Sequence, residues 1–86
     1  MTKSQLAKLP HVIERNLIAK MGALGLCYPN GTICIDPRQS SREYLDTLIH
    51  EHLHFCFPKL SESRVEWVAK VISKAIWKKD FRRISR

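Results

Sequence analysis

The segment His50-Glu51-His52-Leu53-His54 combines metal-ligand and acid–base residue types at helical spacing. His50 and His54 are four positions apart, so on a helix both imidazoles project from one face and can reach one ion. Glu51 lies about 100° round the helix from His50, beside the open position of such an ion. This H-E-x-x-H spacing predicts two zinc ligands, His50 and His54, and a general base, Glu51, for hydrolysis by an activated water.

His52 lies inside the same segment but belongs to another side of the helix. It falls among the apolar residues Leu45, Ile49 and Leu53. A histidine in that position is predicted to be a hydrogen-bonded core residue and not a ligand.

A third ligand is expected because a catalytic zinc site takes three protein ligands and leaves one position to water. Glu62 and Glu66 are the candidates, one turn apart on the next predicted helix. Glu62 lies closer to the apolar stripe of that helix, so it is predicted to be the ligand. Glu66 is predicted to accept a hydrogen bond from a ligating imidazole. The alternative interpretation places both on a solvated helix face, where Glu62 also suits the helix dipole.

The pattern His50-Glu51-x-x-His54 followed by Glu62-x-x-x-Glu66 resembles the zinc metallopeptidases called gluzincins. The resemblance covers residues 30–70 loosely and 50–66 closely, and it is nearest to minimal gluzincins of the kind that occur in phages. It implies a compact zincin-like core, a Zn²⁺ cofactor and a peptide or protein substrate. Two features depart from the pattern: the gap between His54 and Glu62 is short, and Glu66 stands where Asp is more usual.

The resemblance also implies a Tyr or His that stabilises the oxyanion, and Tyr44 is the first candidate here, with Tyr28 as the second. A catalytically inactive zincin-like protein that binds a partner is an alternative function. An extended substrate is expected to pair with the strand 32–36 if that strand lies at a sheet edge.

The elements that position these residues are predicted in the order α, β, β, α, α, which makes an α+β fold. Pro10 and an apolar repeat that ends before Gly22 predict a first helix over 10–21. Two β-prone runs flank Pro29-Asn30-Gly31 and predict a hairpin of strands 24–28 and 32–36. If Asn30 and Gly31 are the two loop residues, Cys27 faces Cys34.

Two capping serines define the helices that carry the candidate ligands. Ser40 with Glu43 three residues later forms a capping box, which predicts an active-site helix over 41–57, closed by Pro58. Ser61 predicts the start of a C-terminal helix that runs to about residue 79.

The cysteines suggest a competing metal site. Cys27 and Cys34 with His50 and His54 would make a Cys₂His₂ structural zinc module, a type that binds nucleic acid. Six residues separate the two cysteines, more than the usual spacing of two to four, and the plainer interpretation is that they are small buried hydrophobes.

The composition places the chain as one small domain, residues 1–86, with 44% hydrophobic residues and a formal net charge of +7. Three cysteines and no apolar leader or membrane-length run predict a cytoplasmic protein, in the host cytoplasm if the chain is phage-encoded. A basic tail over about 78–86 is expected to be a solvated helix end, with an acidic partner or nucleic acid as the alternative. The sequence does not indicate an oligomeric state.

Overall fold

The fold is an α+β arrangement of a three-stranded sheet and two long helices. The computed structural model of the protein describes residues 8–84. The elements in chain order are β1 (His11–Glu14), α1 (Ile18–Met21), β2 (Gly25–Cys27), β3 (Thr32–Ile35), α2 (Ser41–Cys56) and α3 (Glu62–Lys78). The sheet order is β1-β3-β2, with β1 parallel to β3 and β2 antiparallel to it.

The predicted first helix over 10–21 is wrong for most of its length. Residues 11–14 form β1, and only the four residues of α1 are helical. The β-branched pair Val12 and Ile13 suits a strand, and the parallel pairing with β3 supplies the backbone partners. The predicted stop at Gly22 is confirmed: with φ 63° it caps α1, and its N–H donates to the Ile18 carbonyl.

The hairpin is present, but its register differs by one residue from the two-residue-loop alternative. The Tyr28 N–H donates to the Thr32 carbonyl at 2.8 Å, so Pro29, Asn30 and Gly31 form a three-residue loop. Gly31 has φ 89°, a left-handed conformation that this loop length requires. As a result Cys27 pairs with Ile33, and Leu26 pairs with Cys34.

The strand β3 is the centre of the sheet and not an edge, so the predicted substrate pairing along 32–36 does not fit the fold. It has β1 on one side and β2 on the other. Ile33, Cys34 and Ile35 are all buried, as expected of a strand covered on both faces.

The two long helices begin at the predicted serines. Ser40 and Glu43 form the capping box of α2, and the Ser61 hydroxyl caps α3 by accepting the Arg64 N–H. Helix α2 packs against β2 and β3, and α3 packs along α2. Val65 and Ala69 of α3 are fully buried in the core. Within the described part of the chain, no helix combines the length and apolarity needed to cross a bilayer.

Residues 79–84, which follow α3, are all exposed, as expected of a solvated end, but two of their arginines contact other parts of the chain. The Arg82 guanidinium lies 3.5 Å from the centroid of the Trp77 ring and donates to the Trp77 carbonyl at 2.7 Å. Arg83 lies over the Tyr44 ring and donates to Glu14 Oε2 at 2.7 Å. Two cations of the predicted basic tail therefore have partners within the chain.

Candidate metal centre

Helix α2 presents His50 and His54 from one face, one turn apart. Their ring centroids are 4.9 Å apart, and their Nε2 atoms are 3.2 Å apart. Both side chains are mostly buried, with exposed fractions of 17% and 26%. The helical spacing in the sequence thus produces two convergent imidazole nitrogens.

Glu62 completes the group from the first turn of α3. Its Oε1 lies 2.8 Å from His50 Nε2, and its Oε2 lies 2.8 Å from His54 Nε2. The Ser61 cap fixes the start of α3, and so it places the Glu62 carboxylate opposite the two imidazoles. Ligand atoms of His50, His54 and Glu62 all lie within 4.8 Å of one another. The structure brings together the three residues predicted as ligands.

The donor set of this group suits a zinc ion. Two imidazole nitrogens and one carboxylate oxygen are ligand types that zinc prefers, and three protein ligands leave a fourth position for water. Ligands about 2.0–2.2 Å from a tetrahedral zinc lie roughly 3.4 Å apart. The observed separations of 2.8 Å and 3.2 Å need to widen only slightly, and the Glu62 side chain is 60% exposed, so protein packing leaves room for this adjustment. The residues therefore fit the metal that the sequence predicts.

Glu51 lies beside this group on the side of α2 that faces the sheet. The residue is 8% exposed, and its side chain packs against Gly25 of β2. Burial raises the pKa of the Glu51 carboxyl; His50 and His54 partly oppose this, and Glu62 adds to it. The structure thus places a buried carboxylate next to the ligand group.

Glu66 and Tyr44, the other two predicted site residues, are not brought to the group. Glu66 is exposed one turn further along α3, and residues 8–84 include no hydrogen bond from His50 or His54 to its carboxylate. The Tyr44 hydroxyl donates to Glu14 Oε2 at 2.6 Å, towards β1. Burial, and then the bond to Glu14, raises the pKa of Tyr44 to about 12. Tyr44 thus joins α2 to β1 instead of facing the ligand group.

The cysteines do not share a site with the histidines. Cys27 pairs with Ile33, the neighbour of Cys34 in β3, so the two thiols lie on opposite faces of the sheet. Cys27 is on the face towards α2, where burial, and then Glu51, raises the pKa of its thiol. The ligand group assembled within residues 8–84 contains no cysteine.

His52 is hydrogen-bonded as predicted, but it is not the fully buried core residue that the sequence predicted. Its Nδ1 lies 2.7 Å from the Leu48 carbonyl oxygen, one turn back on α2. The ring is half-buried and has its hydrogen-bond partner within the helix. Among residues 8–84, His52 does not belong to the group of ligand atoms that His50, His54 and Glu62 form.

Asp36 is an important residue that the sequence analysis missed. Its fully buried carboxylate accepts hydrogen bonds from the backbone N–H groups of Leu17, Ile18 and Arg38 and from the Arg38 side chain. The Arg38 guanidinium, helped by those N–H groups, holds the pKa of this carboxyl well below its usual range, although burial opposes the shift. The local signal was Asp36-Pro37 directly after a strand, a typical turn start.

Comparisons of the chain with protein-family models, with curated proteins and with solved structures found no match. The case for a function therefore rests on the chemistry of the site and not on similarity of fold.

Proposed function

We propose that the protein is a zinc-dependent metallopeptidase in which His50, His54 and Glu62 hold the ion and Glu51 is the general base. The observation that carries the proposal is the convergence of two imidazole nitrogens and a carboxylate within 4.8 Å, next to a buried glutamate. The order of these residues is also the one by which the sequence resembles gluzincins.

Zinc and the Glu51 carboxylate would have separate roles in the hydrolysis. Bound zinc supplies Lewis acidity, which lowers the pKa of water and polarises a peptide carbonyl. The Glu51 carboxylate takes the proton of the attacking water as the new C–O bond forms. It then gives that proton to the leaving nitrogen as the C–N bond breaks, so the carboxylate is regenerated.

The edge strand β2 is the element best placed to align an extended peptide. In this hairpin, backbone hydrogen bonds join Tyr28 to Thr32 and Leu24 to Asp36. Because hydrogen-bonded and non-hydrogen-bonded pairs alternate along an antiparallel ladder, the N–H and C=O groups of Gly25 and Cys27 point away from β3. No other strand of the described residues covers this edge. Because Gly25 also contacts Glu51, a peptide paired with β2 would pass next to the general base.

The experiment combines zinc binding with peptide cleavage. We expect the wild-type chain to bind one zinc ion and to cleave members of a mixed peptide library, as read by mass spectrometry. Glu51→Gln should bind zinc as tightly and cleave 10²- to 10⁴-fold more slowly. Glu62→Ala should lose tight zinc binding. Glu66→Gln, which removes a carboxylate from the same helix, is the matched control and should cleave within threefold of wild type.

Two results of this experiment would contradict the proposal. Zinc binding without cleavage that depends on Glu51 would indicate an inactive zinc-holding protein. Cleavage that persists in Glu51→Gln and in the presence of a chelator would point to a contaminating peptidase.

A further inference from the structure

The outer face of α3 is strongly basic and carries an exposed aromatic ring. This face projects away from Val65 and Ala69, the buried residues that pack on α2. Trp67 lies about 200° round the helix from Val65. The α3 outer face consists of Arg64, Trp67, Lys70, Val71, Lys74 and Lys78, all of them exposed.

The charge of this face is not neutralised by nearby acids. Among residues 8–84, no carboxylate lies within 4.0 Å of its four cationic groups. Helix α3 has two carboxylates: Glu62 is engaged by the imidazoles, and Glu66 lies about 100° from Trp67. In the groove beside Lys70 and Lys74, the carboxylate of Glu43 belongs to the α2 capping box and that of Asp46 accepts from Ser73.

Trp67 is much more exposed than Trp77, the second tryptophan of the helix. Its exposed fraction is 68%, and Val71, one turn on, is 49% exposed. Trp77 instead lies under the Arg82 guanidinium, with Arg42 at 5.9 Å from its ring centroid. Tryptophan is enriched at interfaces, and a basic stripe along a helix is the electrostatic footprint of a polyanion partner.

The shape of the face favours a DNA duplex over other anionic partners. From Arg64 to Lys78 the helix rises roughly 21 Å, along which duplex DNA presents about one charge per 1.7 Å. A single exposed helix fits the major groove of B-DNA, whereas the major groove of A-form RNA is too narrow and deep to admit a helix. A membrane-surface helix needs a broad apolar face, but the apolar stripe of α3 is turned inwards on α2.

We propose that the α3 outer face binds double-stranded DNA through its phosphates, with Trp67 as the aromatic part of the contact. The sequence suggested nucleic acid as a partner of the basic tail over about 78–86, but two of its arginines, Arg82 and Arg83, are engaged within the chain. The proposal is independent of hydrolysis, because Trp67 projects about 140° from Glu62.

The test uses the full chain and a fluorescein-labelled 20-base-pair DNA duplex of mixed sequence, with anisotropy measured from 50 to 200 mM salt. Arg64→Gln/Lys74→Gln removes two charges from the face. Arg15→Gln/Lys8→Gln removes one arginine and one lysine elsewhere and is the matched control. We expect the face variant to bind at least fivefold more weakly at 100 mM salt. Its slope of log Kd against log[salt] should fall by about 2, while the control stays within twofold of wild type.

A second measurement does not depend on those substitutions. In Trp77→Phe, emission comes from Trp67 alone, and saturating duplex should quench or shift it. Each of three results would overturn the proposal. The face variant and its control could lose DNA affinity equally, the wild type could fail to bind the duplex at 50 mM salt, or the Trp67 emission could stay unchanged at saturation. Tighter binding to RNA duplexes or to anionic phosphatidylserine vesicles would overturn it as well.

Discussion

Gly25 lies directly against Glu51 across the contact between β2 and α2. A Cβ added at Gly25 would stand 3.0 Å from Glu51 Cγ and 3.2 Å from Glu51 Oε2, and 2.6 Å from Thr47 Cγ2. The absence of a side chain at residue 25 is thus what lets the general-base candidate sit between the helix and the sheet. The close approach of β2 to α2 thus limits the space in which the Glu51 side chain can lie.

We predict that Gly25→Ala displaces Glu51 and lowers cleavage at least tenfold while zinc affinity stays within threefold. The added methyl group overpacks the contact, which should cost about 1–3 kcal/mol of unfolding free energy. Chemical denaturation, zinc titration and peptide cleavage measure the three effects. Gly31→Ala is the control: it strains a left-handed position at φ 89° in the hairpin loop, where an added Cβ would meet Phe55 and not Glu51. Cleavage lost equally in both variants would show a general effect of instability.

We predict that zinc binding survives removal of both strand cysteines. The thiols of Cys27 and Cys34 lie on opposite faces of the sheet, so they cannot complete one tetrahedral site with His50 and His54. Cys27→Ser/Cys34→Ala should therefore bind one zinc ion with an affinity within threefold of wild type. Truncation of the buried Cys34 should lower stability by about 1–2 kcal/mol. Loss of zinc from this variant would restore the Cys₂His₂ interpretation.

We predict a loss of stability at high pH that comes from Tyr44. Burial and the bond to Glu14 raise the pKa of Tyr44 to about 12, above its usual value near 10. Between these two pH values the folded chain keeps a proton that the unfolded chain releases, so the free energy of unfolding falls as the pH rises. Tyr44→Phe should cost about 1 kcal/mol at pH 7 and flatten this fall. Denaturation curves at pH 7, 10 and 11.5 measure both effects, and an equal fall in the two proteins would contradict the assignment.

We predict that Asp36→Asn lowers the melting temperature by roughly 10 °C at neutral pH. The substitution weakens a buried acceptor that serves three backbone N–H groups and the Arg38 side chain. Because the pKa of Asp36 is lowered in the folded state, its contribution is complete above about pH 4 and is lost as the pH falls below that value. The difference from wild type should shrink in the same range. Asp80→Asn, at a side chain that is 89% exposed, should melt within about 2 °C of wild type.

Local signals in the sequence were sufficient for the part of the fold that carries the ligand group. Ser40 and Ser61 cap α2 and α3 at the positions predicted from the sequence, because a capping hydroxyl bonds to a backbone N–H within one turn. The spacing of His50 and His54 then determined which side chains converge, and the short connection brought Glu62 to them. These features depend on residues close together in the chain.

The wrong predictions concern segments whose structure depends on residues far away in the sequence. The segment 11–14 has helical periodicity, but β3 offers it a parallel partner 21 residues away, and that pairing prevails. The hairpin register depended on which residue takes the left-handed conformation, and Gly31 alone does so in a three-residue loop. The placement of Tyr44 depended on its hydrogen bond to Glu14, which is 30 residues away in the sequence. Glu14 also binds Arg83, which is 69 residues away from it. Local spacing carries no information about such contacts.

The short connection between α2 and α3 has a consequence for how the ligand group assembles. His50, His54 and Glu62 all lie within the 13-residue segment 50–62, so a small loop brings them together. His50 and Glu62 are 12 positions apart, whereas paired residues of β1 and β3 are 21 positions apart, so closing the ligand loop costs somewhat less chain entropy. Contacts of short sequence separation form quickly in folding. The helical hairpin can therefore present its ligands to an ion before the sheet is complete, and metal capture would favour the folding nucleus as well as the finished protein.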